Sequence, residues 1–187
     1  MAWTTPRTWV AGETVTDTLM NTHVRDNLAY LGTGIIRLNV NTTAVGNVGA
    51  GEDDLITYSL PAATLGVDGM GVRVTAAGSF AANANNKLVK MYFGSTSLTT
   101  WATAPYNNVK WRYVAEIIRT GAGAQIASSQ FVSTGGSGGH TTFPDHVRVG
   151  TTTPAETLSG AVTIKCTGEA TSNDDIQQLL LLVELIR

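Results

Sequence analysis

The chain has 187 residues with a formal net charge of −2, and only 14% of them are charged, low against about 25% for a typical soluble domain. Such a balance offers no electrostatic footing for nucleic acid or an anionic membrane surface. Cys166 is the sole cysteine, which excludes an intrachain disulfide, and LLLLVELI near the end is far too short for a membrane span of roughly 18 residues. The length fits one domain plus a small appendage and is ample for a real core. The polar N-terminus, with two tryptophans and no apolar stretch, does not read as a secretory signal.

Residues 1–6 read as an extended lead-in, because Pro6 disfavours helix there. Thr16 stands where an N-cap belongs and Asp17 in the first turn, where a carboxylate suits the helix dipole. Asn21, Val24, Leu28 and Leu31 then follow at spacings of three, four and three, the seam of a helix over 17–31. Met20 and Leu19 widen its apolar stripe, and Gly32 supplies the stop. A helix of that length is marginal alone, so it packs on its own body, on copies of itself or on another protein. Asn21 in the seam is the kind of residue that fixes register between like helices; the alternative is plain solvation. Trp3 and Trp9 either fold back onto the helix or anchor the arm in a neighbour, where tryptophan is favoured.

From Ile35 onward the period switches to two. Ile36, Leu38 and Val40 predict a first strand, and the Gly- and Asn-rich stretch 41–53 a loop. Ile56, Tyr58 and Leu60 alternate up to Pro61. Val72, Val74 and Ala76, then Val89, Met91 and Phe93, then Trp111, Tyr113, Ala115 and Ile117 each define one apolar face. Segments 126–132 and 147–149, and Val162, Ile164 and Cys166, continue the pattern. Eight or more strands with short polar turns predict a mainly β protein, an antiparallel β-sandwich of jelly-roll type preceded by one short α-helix. Residues 1–34 form the arm and helix, and 35–187 the sandwich.

The last strand, 176–187, breaks the alternation. Leu179, Leu181, Val183 and Leu185 point to one side, while Ile176, Leu180, Leu182 and Ile186 point to the other. A strand apolar on both faces needs cover on both. Either the N-terminal helix supplies the second cover or sister chains do; the reading adopted is a subunit interface through Ile176, Leu180, Leu182 and Ile186, with Asn21 in register.

Catalytic chemistry has no visible support. His140 and His146 flank Asp145 on a Gly-rich loop, but their spacing matches no zinc pattern, so no metal and no cofactor are assigned. Glu52-Asp53-Asp54 and Asp174-Asp175 lie in no EF-hand pattern and read as solvated turns. Cys166 alternates onto an apolar face and reads as a small buried residue. There is no G-x-S-x-G, P-loop or H-E-x-x-H motif. For surface recognition the candidates are Trp101, Tyr106, His140, Phe143 and His146, loop groups able to stack on sugars or meet protein. Trp101 and Phe143 equally suit plugs at the ends of the sandwich.

Two parts of the chain also carry a resemblance. The string WVAGETVTDTLMNTHVRDNL, Trp9 to Leu28, resembles the N-terminal segment of many small tailed-bacteriophage virion proteins. Tyr58 to Gly94, Ile117 to Gly121 and Ser159 to Leu185 look like a recurring unit of small phage fibre-tip and surface proteins. Such units are similar to trimeric jelly rolls of the tumour-necrosis-factor or complement-globular-head shape. The resemblance implies a non-enzymatic structural protein in the virion, a homotrimer docked to other virion proteins through Trp3, Trp9, Met20, Val24, Leu28 and Leu31. Its head would meet a host-surface glycan. The absence of a heptad stalk, collagen-like run or β-helical repeat favours a stubby knob. The alternatives are a capsid decoration protein on local three-fold sites, and a carbohydrate-binding or glycan-active domain.

Overall fold

The computed structural model describes residues 7–31, 36–99, 103–134 and 146–187, the side chains at 29–31, 134 and 146 excepted. Thr16 caps the N-terminal helix as predicted, its hydroxyl accepting from the Leu19 N–H at 3.3 Å. The helix runs as an α segment Asp17–Met20, a π turn Asn21–Arg25 and a second α segment Asp26–Leu31. A π turn accommodates an extra residue in the ladder, so Asn21 loses the regular stacking over Val24 and Leu28 that a continuous seam requires. Among the described residues, no part of this helix lies along a strand.

The body is built from β1 (Ile36–Asn41), the stub β2 (Val45–Gly46), β3 (Gly51–Leu60), β4 (Gly71–Phe80), β5 (Leu88–Phe93) and β6 (Thr96–Ser97). It continues with β7 (Lys110–Gly121), β8 (Ala124–Thr134), β9 (His146–Thr152), β10 (Val162–Ala170) and β11 (Ile176–Ile186). One sheet has the order β1-β11-β4-β7-β8-β9, with β2 beside β11; the other is β3-β10-β5-β6. Every pairing is antiparallel. Without the stub and the β8–β9 pair, eight strands remain, the first beside the last and the second beside the seventh. That is jelly-roll connectivity. The protein is therefore an antiparallel β-sandwich preceded by one short helix.

The inner faces meet where period-two alternation predicts. Val72, Val74 and Ala76 of β4, Tyr113, Ala115 and Ile117 of β7, and Met91, Phe93 and Cys166 opposite them are fully buried. Burial pushes the Cys166 thiol well above its ordinary pKa, leaving it a small core group. Two strands depart from simple alternation through β-bulges. In β1 the shift between Arg37 and Asn39 lets Ile36 and Leu38 pack on the core while Val40 turns outward. In β11 the shift between Gln178 and Leu180 puts Ile176 on the same inner side as Leu181, Val183 and Leu185.

The registers also fix the two ends. The start of β1, the end of β11 and the connections 61–70 and 153–161 lie together at a base; the connections 47–50, 81–87, 103–109 and 171–175 lie at the opposite tip. Near the base, Gly94 turns β5 into β6 at φ +60, and an added Cβ would run into the Glu156 carboxylate. That carboxylate accepts from the Ser95 N–H at 2.7 Å and the Ser95 hydroxyl at 2.9 Å. Gly94→Ala should destabilise the fold by about 1–2 kcal/mol through the left-handed backbone alone, read as a lowered urea midpoint at unchanged slope.

Candidate functional site: an apolar sheet face and a pinned loop end

The two sheets turn opposite kinds of surface outward. On the four-stranded sheet, Lys90 reaches Glu52 at 2.5 Å and Glu169 at 2.8 Å, and Lys165 reaches Asp54 at 2.5 Å. The Tyr92 and Thr167 hydroxyls donate to Glu52 at 2.9 and 2.6 Å. Burial works against the Glu52 charge, but the hydrogen bonds from Lys90, Thr167 and Tyr92 hold its carboxyl below the usual range. This is a face made for water, and Glu52 and Asp54 belong to it rather than to a solvated turn.

The seven-stranded sheet presents the reverse. Register pairs align Val40, Leu182, Thr75, Val114, Gln130 and Val149 in one row across the strands. A second row holds Leu180, Ala77, Arg112, Val132 and Val147, and a third Ile186, Gly71, Ile118 and Ile126. Val40, Ile126, Val147 and Val149 are exposed, and Leu180, Leu182 and Ile186 are half-buried. Between these rows one charged row crosses the sheet: Arg37, Glu184, Arg73 and Glu116. Arg73 clasps Glu116 Oε1 through Nε at 2.9 Å and Nη2 at 2.7 Å.

The tip is pinned by buried polar groups. Lys87 is fully buried, and its Nζ donates to Asn83 Oδ1 at 2.6 Å and to the carbonyls of Tyr106, Asn85 and Asn83 at 2.8, 3.0 and 3.2 Å. Asp175, almost wholly buried, accepts from Asn83 Nδ2 at 2.6 Å, Asn85 Nδ2 at 2.9 Å and the Ser172 N–H at 2.9 Å. Asn47 adds a third pin: its Oδ1 accepts from the Ile176 N–H at 2.9 Å, and its Nδ2 donates to Ser172 O at 2.9 Å. Burial alone would raise the Asp175 carboxyl, yet the two asparagines, Ser172 and the Lys87 charge hold it below its ordinary value.

Several candidate residues change place. Ile176 sits in the core against Gly168, because the bulge reverses its side, so it is no part of an outward face. Tyr106 is buried too, stacked on Phe80 with ring centroids 4.6 Å apart; it plugs the sandwich and offers no recognition surface. Asp175 is buried rather than solvated. Leu180, Leu182 and Ile186 do face outward, and Asn21 is exposed on the helix. Trp9, Met20, Val24 and Leu28 are exposed, with Arg7 stacked 5.1 Å over the Trp9 ring. Trp3, Trp101, His140 and Phe143, and the side chains of Leu31 and His146, lie outside the described residues; the His146 backbone opens β9 at the tip. Among the described residues no group of three His, Cys, Asp or Glu side chains is placed to hold a metal ion.

Sequence reasoning missed two features. Val147 and Val149 alternate as a strand should, but nothing in the pattern says their side faces out. The other is the polar pin: Asn83, Asn85 and Lys87 in AANANNK, residues 81–87, lie in a connection rather than a strand, and read as loop groups until the structure brings them together.

These features define a class: a mainly β sandwich with, among the described residues, one unpartnered apolar face, and with a loop end tied by buried polar groups opposite the start of β1 and the end of β11. A scan against protein-family models, a search of curated proteins and a search of solved structures each found no match.

Proposed function

We propose that the chain is a non-enzymatic structural protein of a tailed-phage virion, a trimeric knob or short fibre. The arm and helix dock it to other virion proteins, and the jelly-roll tip contacts the host surface. The observation that carries this reading is the contrast between the two outer faces. A monomer rarely exposes a large contiguous apolar patch, and the ion-paired face of the same molecule provides the internal comparison. Exposed Trp9, Met20, Val24 and Leu28 supply an apolar stripe for attachment, and the helix leads into β1 at the base, so the tip points away from whatever the helix grips. The resemblance of Trp9 to Leu28 to phage virion segments supplies the particle.

Light scattering on the purified protein tests assembly: a trimer mass at micromolar concentration is expected, and a stable monomer refutes the reading. Imaging of intact particles with a labelled antibody tests location. For adhesion, labelled host cell-wall polysaccharide should bind, and Trp101→Ala should weaken that binding by about tenfold, as the loss of one stacking aromatic does. Release of reducing sugar would instead indicate a glycan-active enzyme.

A second reading is a decoration knob on local three-fold sites of the capsid. It is favoured by the short connection between Leu31 and Ile36, residues 32–35, which leaves no room for a stalk. Label on the capsid faces rather than the tail would select it.

A further inference from the structure

The charged row on the apolar face is the least expected feature of that surface. Glu184 is half-buried between the outward side chains of Leu182 and Ile186, and Arg37 lies beside it in register on β1. Neither has an ion-pair partner among the described residues, whereas Arg73 and Glu116 pair with each other through one oxygen, Oε1, leaving Oε2 open. Glu184 thus stands in register between Arg37 and Arg73 without closing an ion pair to either, so its carboxylate is free to take a partner from outside the chain. A row of alternating sign with two arginines and two glutamates is also neutral overall. A face built for a strongly charged foreign partner would carry net charge, whereas this row offers both signs to a neighbouring copy.

Resting on the trimer reading above, we propose that Arg37 and Glu184 pair across the subunit boundary with the row of a neighbouring copy. The four residues form an ionic clasp that sets the register of otherwise slippery apolar faces. The apolar rows supply attraction without direction, and the clasp supplies the direction. Misaligned copies would bring like charges together or leave Glu184 dry and unpaired, which costs far more than a well-formed pair gains.

The test uses Arg37→Gln and Glu184→Gln, which remove charge at positions with no partner inside the chain and so leave the subunit fold intact by circular dichroism. Sedimentation equilibrium of the full chain is run at low and high sodium chloride. The expected result is a wild-type trimer whose dissociation constant rises with salt, and variants at least about tenfold weaker at low salt with a flattened salt response. A wild-type trimer with variants of equal affinity and equal salt response overturns the clasp while leaving assembly standing. A wild-type monomer at micromolar concentration overturns the assembly reading and the clasp with it.

Discussion

Leu180→Asp and Leu182→Asp should each reduce the proposed trimer to folded monomer at micromolar concentration. Both side chains belong to the outward rows of β11, a strand paired on both sides, by β1 and β4, and therefore inside the apolar face rather than at its edge. Within one chain each is only half-buried, so an aspartate there still reaches water and the sandwich keeps its core of Leu181, Val183 and Leu185. Between subunits the same carboxylate would be dry, set among the apolar side chains of a neighbouring copy. Burying an unpaired charge costs at least about 3 kcal/mol, or roughly a hundredfold in association for each site. The matched control is Thr57→Asp on the ion-paired face, where β3 pairs with β10 beside Lys165; it should leave the mass unchanged. Light scattering reads all three, with near-ultraviolet circular dichroism to show that the fold persists. Two trimeric aspartate variants of unchanged melting temperature would mean that sister chains do not cover this face.

How far the face could be foreseen depends on the residue. The inner sides of β4, β5 and β7 were plain in the sequence, because Val72, Val74 and Ala76 or Val89, Met91 and Phe93 keep strict alternation through a whole strand. The outer apolar side of β11 was legible for Leu180, Leu182 and Ile186, which lie after the bulge, and misplaced for Ile176, which lies before it. A bulge has no composition of its own; it inserts one residue and flips every side chain beyond it. The helix shows the same blindness: Thr16 announces its cap, but the π turn at Asn21–Arg25 breaks a seam that spacing alone makes continuous. Tyr106 failed for another reason. An aromatic in a loop can stack outward on a ligand or inward on Phe80, and only tertiary packing decides. The polar pin was hidden because lysine and aspartate are so seldom buried that Lys87 and Asp175 read as solvent groups.

That pin supports the second large effect. Lys87→Met should destabilise the protein by about 3 kcal/mol, lowering the melting temperature of a chain this size by about 6–12 °C. Burial holds the Lys87 ammonium below its ordinary pKa while Asp175 pulls it back up, so the charge is not held there without cost. The loss on substitution comes from what the methionine abandons. Asn83 Oδ1 and the Tyr106 and Asn85 carbonyls lose their donor, and Asp175 loses its compensating charge in a buried site. Each orphaned group carries its own desolvation penalty. Because the pin ties the 81–87, 103–109 and 171–175 connections together, the damage should be confined to the tip. Amide exchange should quicken at Ser172 and Ile176, with the β4–β7 pairing protected as before. The acid response gives an independent reading. A carboxyl held below its ordinary 3.8 contributes stability that is complete above that value and is lost as pH falls through the folded value. Removing the Lys87 charge raises the folded pKa of Asp175, so the variant should begin to lose stability at a higher pH than the wild type. The Glu52 network on the polar face would keep its own acid limb in both. Unchanged melting, unchanged exchange at the tip and superimposable acid curves would show that the Lys87 ammonium fills space there without holding the loops.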